Sequence, residues 1–283
     1  MLIAQITDLH LGFDPDEPGE ANRQRLDRVI AALNALSPQP DVLLVTGDIA
    51  DRGTAEAYAQ FRDAASALAC PVYCCPGNHD RRDNFSMALP QPEGLPGFIQ
   101  YGFDAGELRV LVLDTLEEER HGGSFCAARA QWLADELASH SRRPTLIALH
   151  HPPIASGIAW MDPAPSAPWI ERLAEVLRGH DQIVKLVCGH IHRPIATQWR
   201  GQDLAVCAAS AAQLSLDFAA IDPEVPDGRA MVTDAPPAFA LHHWNGRELV
   251  THFGVAQDEQ ILASYDHDMQ VLVRKIAQER AAG

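Results

Sequence analysis

Five short polar clusters each stand just beyond an apolar run: Asp8-Leu9-His10, Gly47-Asp48, Gly77-Asn78-His79-Asp80, His150-His151-Pro152-Pro153 and Gly189-His190-Ile191-His192. Asp8, His10, Asp48, Asn78, His150, His190 and His192 offer nitrogen and oxygen donors and no thiolate, a set suited to Zn, Mn or Fe. A single catalytic metal takes three or four protein ligands, so seven donors fit two ions that share a bridging carboxylate. In Asp8-x-His10, alternate residues past a strand face one side and can chelate one ion. His190 and His192 repeat that spacing at a different depth. Glycines at 47, 77 and 189 suit sharp turns that bring backbone close to an ion. Any one cluster alone reads as a turn or a cap. Five in one chain read as metal chemistry.

The elements that must position these residues follow from periodicity. Strand-like runs are Leu2–Thr7, Val42–Thr46, Val72–Cys75, Val110–Asp114, Thr145–Leu149 and Ile183–Cys188. Leu26, Val29, Ile30, Leu33 and Leu36 make a helical face. Further helices are predicted at about Thr54–Ala69, Ala127–Ser139 and Pro168–Arg178, the first capped by the Thr54 hydroxyl. This alternation implies a layered α/β domain, in which carboxyl ends of neighbouring strands share an edge where ligands collect. After Ile195 the texture changes. Strand candidates Ala196–Trp199, Leu204–Ala208, Ala238–Trp244 and Glu248–Phe253 succeed one another without helices, predicting an antiparallel second sheet. The Pro-rich segment within 213–237 reads as a loop or small cap. Residues 1–255 form the predicted catalytic domain, and 256–283 a helical extension with its helix over Asp258–Arg280.

Composition sets the outer bounds. In 283 residues, 38 Asp and Glu outnumber 22 Lys and Arg, leaving a formal charge of −16, with 13 His besides. So negative a chain lacks the basic surface that grips a nucleic-acid polymer or an anionic membrane. No apolar run reaches the roughly 18 residues of a membrane span. The start, MLIAQITDLHLG, has no basic region of the secretory kind. Six Cys without a CxxC pair read as reduced core thiols, and the expected location is the cytoplasm.

The motifs D8-L9-H10, G47-D48, G77-N78-H79-D80, H150 and G189-H190-I191-H192 resemble those of the calcineurin-like binuclear metallophosphoesterases. Their spacings, the LHHPP segment and the chain length look most like class III cyclic-nucleotide phosphodiesterases and bacterial glycerophosphodiesterases. The resemblance implies a four-layer αββα sandwich with mixed sheets. It implies one divalent or mixed-valence metal ion on Asp8, His10, Asp48 and His192. A second would sit on Asp48, Asn78, His150 and His190, with Asp48 as the bridge. By the same resemblance His79 is catalytic, serving the leaving group or transition-state charge. Asp80 reads as orienting His79 or a ligand, since metal-site imidazoles need such partners, and His151 as a structural residue or a support behind the ligands. The implied reaction is hydrolysis of a small phosphodiester, a cyclic nucleotide or similar, by a metal-bridging hydroxide. A glycerophosphodiesterase or a promiscuous diesterase and monoesterase is the near alternative, and a noncatalytic scaffold the remote one. A homodimer is the expected assembly. Substrate choice is expected to rest on loops 12–25, 81–98, 154–167 and 213–236, with Trp160 and Met161 walling a pocket.

Overall fold

Runs such as Val42-Leu43-Leu44-Val45 are apolar on both sides of the two-residue strand period, so the strands they form need cover on both faces. The computed structural model describes residues 1–14, 16, 17, 20–164 and 166–282. The chain begins β1 (Leu2–Ile6), α1 (Ala21–Asn34), β2 (Val42–Thr46), α2 (Ala55–Ala65), β3 (Val72–Cys75) and α3 (Arg82–Ala88). It continues β4 (Tyr101–Ala105), β5 (Leu108–Val112), α4 (Ala127–Ser139), β6 (Thr145–Ala148), α5 (Pro168–Leu177) and β7 (Ile183–Cys188). Two hairpins and a ribbon follow: β8 (Ile195–Trp199), β9 (Gln202–Val206), β10 (Gln213–Leu214), β11 (Val232–Thr233), β12 (Ala238–Trp244) and β13 (Leu249–Val255). Helix α6 (His267–Ala282) closes the chain.

A five-stranded sheet runs β13-β12-β1-β2-β3, and a six-stranded sheet runs β4-β5-β6-β7-β9-β8. Alternation along the second sheet reveals the layers. Val110, Val112, Leu146, Ala148 and Val187 pack in one core with the first sheet and with α1 and α2. Their neighbours Leu111, Leu113, Ile147, Leu149, Leu186 and Cys188 pack in another core with α4 and α5. The result is an αββα sandwich. Thr54 caps α2 as its sequence predicts, its hydroxyl accepting from Ala57 N at 3.3 Å.

The C-terminal strands depart from the expected separate antiparallel sheet. The β8–β9 hairpin extends the second sheet through a parallel β7–β9 pairing, and β12–β13 extends the first through an antiparallel β1–β12 pairing. The β8–β9 hairpin joins β7, the strand just before it, whereas β12–β13 joins β1 at the other end of the chain, a choice that local pattern does not encode. Segment 213–237 carries the short β10–β11 ribbon. Helix α6 starts at His267, later than predicted, and it and the stretch before it are largely exposed, including Ile261, Leu262, Val271 and Ile276. All six Cys are free thiols. Among the described residues no helix is long and apolar enough to cross a membrane.

Candidate metal centre

Parallel β1, β2 and β3 end at the same level, and so do β6 and β7 in the facing sheet. All five polar clusters start at those ends. Hydrogen bonds bridge the seam between the sheets: His150 Nδ1 donates to Thr46 O at 2.7 Å, and His190 N to Asp8 Oδ2 at 3.0 Å. Just past the strands the chain reverses in the left-handed region. Asp8 (φ 52°), His10 (46°), Asp48 (51°), His190 (73°) and His192 (52°) all adopt it, a conformation that costs a side-chain-bearing residue about 1 kcal/mol or more. Strain concentrated on these five residues marks a constrained site. Gly47 (φ 96°) permits a close approach, since a Cβ there would lie 2.3 Å from His150 Nδ1.

The donor atoms converge. His192 Nε2 lies 3.3 Å from Asp8 Oδ1 and 3.2 Å from His10 Nε2. His150 Nε2 lies 3.3 Å from Asp48 Oδ2, 3.2 Å from Asn78 Oδ1 and 4.0 Å from Asp8 Oδ1. Asp48 Oδ2 is also 3.7 Å from His10 Nε2, so this carboxylate spans both imidazole sets. His190 joins the second set beside His150 and His151. Three of the four imidazoles in the donor set have the far nitrogen committed: His10 Nδ1 to Asp51 Oδ1 at 3.2 Å, His192 Nδ1 to Ala212 O at 2.8 Å, and His150 Nδ1 to Thr46 O. Donation from Nδ1 leaves a lone pair on Nε2. Lone pairs of His10 and His192 therefore face one another, an arrangement that a cation between them relieves.

Charge gives the same answer. Burial would raise the Asp8 and Asp48 carboxyls, yet His192 beside Asp8 and His150 beside Asp48 hold both below the usual carboxylate range. Burial would lower His150, but Asp48 and Asp8 push it up to about 9. His190, buried among His151, His150 and His121, is driven well below the usual range. Two buried carboxylates thus demand compensating positive charge, and a nitrogen–oxygen donor set of this kind suits a first-row divalent ion.

Supporting residues were less visible in the sequence. Asp51 accepts from His10, and its carbonyl accepts from His79 Nδ1 at 2.8 Å. His79 stacks edge-on against His10 with centroids 4.6 Å apart, its side chain 37% exposed. Asp80 departs from its expected role. Its carboxylate contacts neither His79 nor a ligand but accepts from Gly77 N, Ala50 N and the Tyr58 hydroxyl, tying the turns after β2 and β3 together. His151 is enclosed between Thr115 Oγ1 at 2.8 Å and His121 O at 3.2 Å. Asp114 at the end of β5 receives a two-pronged grip from Arg82 at 2.8 and 2.9 Å, fixing the start of α3 against the second sheet.

A cleft of about 490 Å³ opens over Asn78 and His79, and Asp51, Arg52, Arg81, Glu119, Arg120 and His121 complete its lining. The expected walls are mostly elsewhere. Met161 is buried in the α4–α5 core with Ile154 and Ile158. The loop carrying Glu119 and His121 gave no apolar period by which to find it.

The calcineurin-like phosphoesterase family model matches residues 1–194, which include all five clusters. A probable glycerophosphodiester phosphodiesterase of Arcobacter nitrofigilis is 29% identical over 261 residues, covering 89% of this chain and 92% of that protein. A probable cyclic nucleotide phosphodiesterase of Rhodopseudomonas palustris is 31% identical over 268 residues, covering 89% and 91%. Among solved structures, a dimetal phosphatase from Danio rerio superposes with a TM-score of 0.68 at 17% identity, covering 91% of this chain and 97% of that one. That likeness speaks for the fold. With its clusters gathered at one seam as donor sets for two divalent metal ions, the chain belongs to the calcineurin-like phosphoesterase family.

Proposed function

We propose that the protein hydrolyses small phosphodiesters at a binuclear centre of Mn, Fe or Zn. Asp8, His10 and His192 hold one ion, Asn78, His150 and His190 the other, and Asp48 lies between them. The observation that carries this reading is the convergence of Nε2 atoms whose Nδ1 partners are already fixed. Two bound divalent ions supply the positive charge and the acidified water that attack on a phosphodiester anion requires. His79 handles the proton on the other side of the reaction. With Nδ1 on the Asp51 carbonyl, its Nε2 remains for the leaving alkoxide in the cleft. Family relatives named for glycerophosphodiesters and for cyclic nucleotides both support a diester substrate. Six free thiols fit a reducing compartment such as the cytoplasm.

The test is hydrolysis of bis(p-nitrophenyl) phosphate with added Mn²⁺, compared with p-nitrophenyl phosphate. Expected results are preference for the diester, loss of activity on chelation, and loss of both activity and bound metal in Asp48→Ala. Full activity of metal-stripped Asp48→Ala protein sinks the binuclear reading, and preference for the monoester sinks the diesterase reading.

A further inference from the structure

The cleft over Asn78 and His79 reverses the sign of the molecule around it. Three guanidinium groups, Arg52, Arg81 and Arg120, line it against two carboxylates, Asp51 and Glu119, in a chain whose formal charge is −16. Two of the three are already paired, though loosely. Arg52 Nε is 3.6 Å from Asp51 Oδ2, and Arg120 Nη1 is 3.7 Å from Glu117 Oε1, both arginines being two-thirds exposed or more.

Arg81 differs. Among the described residues its guanidinium has no hydrogen-bond or ion-pair partner, although the residue is half-buried. Its position is nevertheless built. The backbone N of Arg81 donates to the Tyr58 hydroxyl at 3.1 Å. Its stem lies over Gly53, where a Cβ would come within 2.4 Å of Arg81 Cγ. The next residue, Arg82, is locked on Asp114. A held, half-desolvated and unpaired guanidinium offers a planar fork that matches a carboxylate or phosphate. The metal centre already accounts for the reacting phosphate, so the anion at Arg81 is a second one on the same molecule.

We infer that Arg81, with Arg52 and Arg120 around it, selects phosphodiesters whose substituent carries a second anionic group, carboxylate or phosphate. This rests on the diesterase reading and narrows its substrate class: a simple cyclic nucleotide has no such second group.

The test uses Mn²⁺-loaded protein and pairs of compounds that differ in one anion. Glycerophosphoserine differs from glycerophosphoethanolamine by a carboxylate. Its kcat/KM is expected to be about ten- to a hundredfold higher, the effect of one charge-assisted contact. For the phosphate arm, 1,3-propanediol bisphosphate is expected to inhibit bis(p-nitrophenyl) phosphate hydrolysis more tightly than the monophosphate. Preference on one arm alone identifies which anion is read. In Arg81→Ala these ratios are expected to fall to about one, and Arg81→Lys to retain part of them. Ratios near one in the wild type, with bis(p-nitrophenyl) phosphate still hydrolysed, overturn the inference and leave the diesterase reading standing. Equal losses on both members of a pair in Arg81→Ala also overturn it, because Arg81 then serves the reacting phosphate. If no diester is hydrolysed, the functional reading fails, and calorimetric titration of the bisphosphate into wild type and Arg81→Ala still decides the subsite.

Discussion

His79 sits where a ligand and an acid are easily confused, within reach of His10 and Asp48 yet open to the cleft. Its Nδ1 is fixed by a backbone carbonyl, as it is in His150 and His192, so tautomer alone does not separate the roles. Metal content does. His79→Ala is expected to lower kcat by about 10²–10⁴-fold while metal analysis still finds two ions per chain. Loss of an ion in that variant moves His79 into the ligand set. The seven proposed donors and His79 stood out in the sequence because their residue types recur at strand ends, mostly with glycine near them. Asp51, the true job of Asp80, and His121 were not. Each is a single polar residue in a turn, and its partner is chosen by how two loops meet in space.

At the scale of elements, one buried ion pair and one buried polar contact hold the pieces in register. Arg82 ties α3 to Asp114, which is fully buried. Arg82→Ala leaves that carboxylate with two backbone donors, Ile99 N and Leu116 N, and with Arg129 at 3.7 Å as its remaining ion-pair partner among the described residues, and is expected to cost about 3 kcal/mol in chemical unfolding. Deeper between the sheets, His242 of β12 faces Gln5 of β1 through Nε2 and Thr251 of β13 through Nδ1. Burial, with Lys185 nearby, pushes its pKa down from 6.5 to about 3. The unfolded chain takes up a proton that folded His242 refuses, so this stabilisation is complete above pH 6.5 and is lost as pH falls toward 3. Urea unfolding of wild type and His242→Gln at pH 6 and pH 4 is expected to show a shallower pH slope in the variant, by about 1.4 kcal/mol per pH unit. An equal slope shows that His242 is protonated in the fold. Most strands were readable as apolar runs. Strand β4 was not, because Tyr-Gly-Phe-Asp-Ala mixes glycine and charge into a short segment, and α3 was not, because only Phe85 of its seven residues is buried.

For the molecule as a whole, the centre is a clamp between two sheets, since Asp8, His10, Asp48 and Asn78 come from one and His150, His190 and His192 from the other. Removing bound ions is therefore expected to loosen the sandwich itself. Saturation at a hundred times Kd contributes about 2.7 kcal/mol per site, so chelation is expected to lower Tm by about 5–10 °C, with recovery on adding Mn²⁺. An unchanged Tm means the sheets hold without the clamp. The sandwich was visible through the motif resemblance, but the pairing of β12 with β1 was not, because it joins Leu2 to His243 across nearly the whole chain. That pairing has a consequence for biosynthesis. Strand β1 carries two ligands at its exit, yet the neighbour that completes its open side is translated more than two hundred residues later. At ribosomal speeds the wait is about ten to fifty seconds. All seven proposed donors precede β12 in the chain, so every side chain of the set has been made before the strand that completes the sheet beside Asp8 and His10.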